Sequence, residues 1–245
     1  MQPTDYKERS YRSSQKSEGL ISFHIVEDET DLYISAERDL TNLARDLMLK
    51  YRTELRGYIK RDPIFFETLS PFKVKKDAPV IIKDMAYYTA IAGVGPMAAV
   101  AGAMAEYIGK ELLSYSKEVI IENGGDIFMY SLKERKIGIF TGEDSPFHNK
   151  LAIKIKGDNT TKGICTSSGT IGHSLSFGKA DAACIIATST LLADAVATAF
   201  GNIVKKPEDI QKGLEFCQTI RGVEGALVVI QDKLGAWGEV ELTEW

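Results

Sequence analysis

Cysteine is scarce in this 245-residue chain. The three present, Cys165, Cys184 and Cys217, are too widely spaced for a disulfide framework or a zinc cluster of the CxxC kind, and reduced thiols are expected. No run of about twenty apolar residues occurs, so no membrane-spanning helix is expected. The N-terminal stretch MQPTDYKERSYRSSQKSEGL is polar and lacks an apolar signal segment, which points to a cytoplasmic protein. An excess of one charge is missing too. Thirty Lys and Arg against thirty-four Asp and Glu leave a formal charge of −4, with no basic stripe that would suggest nucleic acid. One local basic run, KYRTELRGYIKR (50–61), interleaves acidic and apolar residues at helical spacing and is expected as a solvated helix face. Also absent are a Walker loop, a GxGxxG dinucleotide turn and a GxSxG nucleophile elbow.

What remains is a composition of 44% hydrophobic and 26% charged residues, enough to bury a sizeable core without covalent staples. One domain over residues 1–245 is expected, with 1–18 as a loose arm. Alternating apolar and polar residues flank an acidic turn in LISFHIVEDETDLYISAE (20–37), a hairpin signal, and residues 40–62 carry helical periodicity up to Pro63. Pro63, Pro71 and Pro79 mark a loop. APVIIKDMAYYTAIAGVG (78–95) suggests an extended segment running into a glycine turn, and Pro96 opens a long helix of small residues over 96–116. EVIIENGGDIFMYS (118–131) predicts strand, turn, strand. Further strands are expected at RKIGIFTG, NKLAIKIKG and around 163 and 183, then a helix near Pro207 and a closing hairpin. Hairpin pairs with helices between them predict an α+β fold with an antiparallel or mixed sheet packed with helices.

The chemistry centres on LLADAVATAF (191–200). Thr190, Asp194, Thr198 and Asn202 recur every four residues and form one polar stripe on a continuous helix. Solvated faces usually carry Lys, Glu and Arg, and none occurs between Leu191 and Val204. A carboxylate among alanines needs hydrogen-bond donors, a cation or a proton. Two readings stay open: a ligand site and a hydrogen-bonded structural carboxylate. If the partner is a metal, the hard oxygens of Asp194 and Thr198, without a nearby His/Cys cluster, suit magnesium. The small residues of 96–107 and 191–200 allow a third use, close helix packing in an oligomer.

Glycine turns supply the complementary half. ENGGD (122–126) and TSSGTIG (166–172) can present backbone N–H groups to an anion, and GVGP (93–96) leads into a helix N-terminus. A plain hairpin turn is the alternative for the first. His173 is a candidate acid/base group or a structural histidine, and Cys165 a buried structural thiol in the absence of an activating base.

The order of these pieces, a small-residue helix, ENGGDI, CTSSGTIGH and LLADAVATAFGN, resembles the ApbE-like superfamily, whose best-known members are magnesium-dependent FAD:protein FMN transferases. The likeness spans roughly residues 90–204 and is sharpest in ADAVATA. It implies an ApbE-like fold, Mg²⁺ on Asp194 and Thr198 with a backbone carbonyl from 102–105, and FAD or FMN beside Gly124, Gly125, Asp126, Thr166, Ser167, Ser168 and Gly169. It also implies a flavin nucleotide partner, with a protein acceptor among the possible partners; the exposed hairpins make a homodimer a further possible partner. The departures are equally specific. Glu106 and Tyr107 stand where the transferases usually carry lysine and glycine, and GHSLSFGKAD replaces their His-His-Ile-x-Asp-Pro segment. The chain is most similar to a small cytoplasmic branch of the superfamily. That branch leaves open FAD cleavage, FMN transfer, or a non-catalytic flavin-binding or accessory role in redox or sulfur metabolism.

Overall fold

The computed structural model describes residues 17–169 and 178–245. The expected hairpin forms as β1 (Ile21–Glu27) and β2 (Thr30–Ala36), with Asp28 in the left-handed conformation that the tight acidic turn needs. The amphipathic helix follows as α1 (Thr41–Arg61), then the short α2 (Ile64–Glu67) within the proline-rich loop.

The segment expected to be extended is instead helix α3 (Val80–Ala92). Its opening Val-Ile-Ile suggests a strand locally, but Ile81, Ile82, Met85, Ala86 and Thr89 recur at helical spacing and are all buried. Pro79 precedes the first turn and Gly93, at φ 75°, closes the helix in a left-handed cap. A tight turn at Pro96–Ala99 leads into α4 (Val100–Leu112), so the long small-residue helix is broken near its start.

Next come β3 (Val119–Asn123), β4 (Asp126–Tyr130), β5 (Arg135–Gly138), β6 (Leu151–Ile155), β7 (Thr161–Ser167) and β8 (Ala182–Ala187). Helix α5 (Thr190–Ile203) carries the polar stripe, and α6 (Ile210–Gln218) follows Pro207. β9 (Val223–Ile230), β10 (Lys233–Gly238) and β11 (Glu241–Glu244) close the chain order.

Eight strands form one sheet in the order β1-β2-β3-β4-β7-β8-β9-β10, and a second sheet has the order β11-β6-β5. Every pairing among the described strands is antiparallel, which settles the fold as α+β. Successive residues of the central strands point to opposite faces. In β8, Ala183, Ile185 and Ala187 join the core beneath the helices. Ala182, Cys184 and Ile186 join a separate core with Ile137 and Ile153 of the small sheet. Both faces are covered, so β8 is a continuous apolar run rather than an alternating one. The same alternation puts Cys165 and Cys184 in different cores, and the three thiols are free and buried, as expected. Among the described residues no single helix is long and apolar enough to cross a membrane.

Candidate functional site

The two small-residue helices pack against each other within one chain. α4 and α5 cross where Gly102 meets the first turn of α5. A Cβ at Gly102 would lie 2.5 Å from the Thr190 carbonyl oxygen and 2.9 Å from Asp194 Cβ, so only glycine permits this approach. At the crossing the Gly102 N–H donates to Asp194 Oδ2 at 2.8 Å. That N–H belongs to the first turn of α4, where amides have no partner in their own helix. The carboxylate in the alanine-rich helix therefore caps a neighbouring helix.

A second carboxylate does the converse. Glu106 of α4, 3% exposed, accepts on Oε2 from Ser189 Oγ (2.8 Å), Thr190 N (2.5 Å) and Leu191 N (3.3 Å), all at the start of α5. Its Oε1 accepts from Lys110 Nζ at 2.6 Å. Each helix thus places a negative charge on the other's N-terminal amides, where the helix dipole favours it. Sequence reasoning noted Glu106 only as a departure from a motif. The signal was available, since Glu106 sits between Ala105 and Tyr107 in a helix of small residues, as Asp194 sits between alanines.

The glycine turn lies beside this crossing. Gly124 and Gly125, at φ 70° and 101°, turn β3 into β4, and Gly125 N–H donates to Glu122 Oε1 at 2.8 Å. The Gly125 carbonyl accepts from Thr166 N at 3.2 Å, and Asp126 pairs with Cys165 across β4 and β7. Asn123 Nδ2 donates to the Ala101 carbonyl at 3.0 Å and so ties the end of β3 to the start of α4. Ser167 is in turn close to α5, because a Cβ on Gly201 would lie 3.5 Å from its hydroxyl oxygen. Gly169 N–H donates to the Ala180 carbonyl at 2.9 Å. Gly124, Gly125, Asp126 and Ser167 therefore gather around the face of the sheet that α5 covers, whereas Thr166, next to Cys165 on β7 and paired with Cys184, points to the face that the small sheet covers. Ser168 and Gly169 continue from the end of β7, while His173 lies outside the described residues.

Cys165 sits between the two acidic groups. Burial pushes its thiol well above the ordinary value, and the charges of Asp126 and Asp194 push it further. The thiol stays protonated and donates to the Thr190 carbonyl at 3.5 Å, which agrees with a structural thiol. Burial likewise raises the Asp194 carboxyl to about 7, against the pull of the Gly102 and Ala101 amides. Near neutrality it is poised between its two forms, and a nearby cation would favour the charged one.

Three observations bear on whether a cation suits this place. Asp194 and Thr198 are half-buried on one face of α5, so hard oxygens one turn apart remain within reach of a ligand. Thr190 Oγ1, one turn earlier and wholly buried, has no hydrogen-bond partner among the described residues. No group of three or more His, Cys, Asp or Glu converges among those residues, so a ready-made metal cage is absent there. This donor set fits magnesium, which takes one or two protein oxygens and completes its shell with water and phosphate oxygens.

A family model described as AbpE bacteria matches residues 12–241. The chain belongs to this ApbE-like family. Its relatives include a UPF0280 protein of Methanococcus aeolicus, 41% identical over 218 residues and covering 86% of this chain and 88% of that one. Another, from Methanocaldococcus jannaschii, is 39% identical over 222 residues and covers 88% and 90%. Among solved structures, the flavinyl transferase ApbE of Pseudomonas stutzeri aligns with a TM-score of 0.61 at 13% identity, covering 89% of this chain and 94% of that chain. The flavin transferase ApbE of Vibrio cholerae gives 0.60 at 10% identity over 90% and 97%. Identities this low establish a shared ApbE fold. What the ApbE-like chain binds rests on its own residues.

Proposed function

We propose that this ApbE-like protein binds a flavin nucleotide, FAD or FMN, together with Mg²⁺ held by Asp194 and Thr198. The observation that carries the reading is the convergence of the Gly124–Gly125 turn, Asp126 and Ser167 with the Asp194 face of α5. The Gly124 amide and the hydroxyls of Ser167 and Ser168 would hold phosphate oxygens, since the amides of Gly125, Thr166 and Gly169 are bonded within the protein. Bound Mg²⁺ would neutralise charge developing on the pyrophosphate.

The reaction this arrangement serves is scission of the FAD pyrophosphate. A nucleophilic oxygen, from water or from a hydroxyl of an acceptor protein, bonds to the FMN-side phosphorus as the bond to the AMP oxygen breaks. The nucleophile's proton passes to a base, the role assigned here to His173. AMP leaves, and FMN is freed or remains on the acceptor. The direct test is to add FAD to the purified protein with and without Mg²⁺ and follow AMP and FMN. Release that depends on Mg²⁺ and disappears in Asp194→Ala supports the proposal; undiminished turnover in that variant removes it. Loss of turnover with retained flavin binding in His173→Ala is the result expected for a base.

One observation favours a second reading, flavin binding without turnover. Two carboxylates near this crossing are engaged, Glu106 with the start of α5 and Asp126 with Cys165. Saturable flavin binding with no AMP released, even at high Mg²⁺, is its signature.

A further inference from the structure

We infer that Glu106 is a positioning residue for the Asp194 carboxylate and sets how tightly Asp194 takes Mg²⁺. The inference rests on reading Asp194 as a magnesium ligand. It is carried by the way the two helices hold each other at two corners. Gly102 N–H meets Asp194, and Glu106, four residues along α4, meets the Thr190 N–H, four residues back along α5. The helices run antiparallel at the crossing, and both corners lie on facing sides of their helices.

Each corner alone is a hinge. Asp194 bonded only to the adjacent amides of Ala101 and Gly102 can swing about that one corner, and the start of α5 gripped only by Glu106 can pivot. Together they fix the direction in which the Asp194 carboxylate points relative to the start of α4. The Asn123 bond to the Ala101 carbonyl then ties that start to the glycine turn. Glu106 cannot drift easily. It is buried, grips three donors with one oxygen and is held by Lys110 through the other. A carboxylate held in one orientation loses less freedom when a cation arrives, and groups that orient a ligand change metal affinity by about 10- to 100-fold when removed. Glu106 acts through Asp194 and does not touch the cation, so its effect belongs at the lower end.

The test uses the full chain and Mg²⁺ alone, with two readouts taken at a temperature where every variant is folded: calorimetric affinity and the NMR position of the Gly102 amide. Glu106→Gln is expected to weaken Mg²⁺ about tenfold. It should also move the Gly102 amide toward its position in Asp194→Asn, because the bond to Asp194 loosens. A purely structural Glu106 would lower the melting temperature and leave both readouts where they were. That result, with Asp194→Asn abolishing metal uptake, overturns the inference and spares the magnesium reading. If Asp194→Asn takes Mg²⁺ as well as the unaltered protein, or the unaltered protein takes none, the magnesium reading fails and the inference with it. Should Glu106→Gln not fold, Ser189→Ala removes one donor to Glu106 and keeps both charges. About threefold weaker Mg²⁺ and a shifted Gly102 amide are then expected, and an unmoved amide with unchanged affinity overturns the inference.

Discussion

Glu118 and Asp194 are carboxylates held below the surface on opposite sides of the large sheet, and their surroundings treat them in opposite ways. Glu118 sits just before β3. It accepts from Ser131 Oγ at 2.5 Å, Leu132 N at 3.0 Å and the Arg135 guanidinium at 2.9 Å, while Arg135 also donates to the Glu18 carbonyl. Burial alone would raise its carboxyl, but these donors and the Arg135 charge overcome it and hold the group below its ordinary value. Among the described residues Asp194 has helix amides and no basic side chain bonded to it, and burial wins. A carboxylate with a resident cationic partner is a finished structural element. One left with neutral donors keeps the capacity to take a cation.

The contrast can be broken from either side. The largest effect is expected from Arg135→Met, which strands Glu118 without its cation. Loss of about 3–5 kcal/mol is expected, read by urea unfolding. A much smaller loss would mean that Ser131 and Leu132 suffice, and the two carboxylates would be less different than they look.

Next is the pH response. The Asp194 carboxyl moves from the ordinary 3.8 to about 7 on folding, so the folded state holds this proton more tightly than the unfolded chain. Its contribution is complete below about 4 and is lost as pH rises to about 7, costing a few kcal/mol at most. Glu118 has the opposite sign, since its contribution is present above the ordinary carboxylate value and is lost as pH falls. Without metal, melts between pH 4 and 7 should show a downward slope that flattens in Asp194→Asn. The loss at more acidic pH should persist in that variant. Millimolar Mg²⁺ should restore stability selectively at the upper end of the window.

Gly102→Ala ranks third. The added methyl meets the Thr190 carbonyl and Asp194 Cβ, and a loss of about 1–3 kcal/mol with weaker metal uptake is expected from forcing the helices apart. The smallest effect belongs to Lys110→Gln. Lys110 is exposed and pairs with Glu106 from within the same helix, so a stability change within about 0.5 kcal/mol is expected in the same melts.

Much of this arrangement was legible in the residues. The hairpin at 20–37 and the helix at 40–62 declare themselves by period, and the glycine turn after Asn123 by composition. The segment 78–95 misled because Val80, Ile81 and Ile82 favour strands locally, whereas the packing of Ile81, Met85 and Thr89 beneath the helix layer decides the matter. The second sheet was hidden for a different reason. Residues 135–138, 151–155 and 241–244 pair across long separations, and local alternation records nothing of which strands meet. At the candidate site the polar stripe on α5 was plain from its four-residue spacing. Its partner was not, because the Gly102 amide belongs to the backbone and leaves no side-chain signature.

The strand order has an engineering consequence. Tyr130 and Thr161 are register partners on β4 and β7, so the thirty or so residues between them leave and rejoin the large sheet at one place. That excursion could be exchanged for a short linker without breaking a rung of the eight-stranded ladder. The exchange would strip the cover from Ile120, Ile127, Met129 and Ile164 and leave a sticky wall. A shortened version would keep its helix side and need a new lid, or a solubilising redesign of those four positions, to remain dispersed in water.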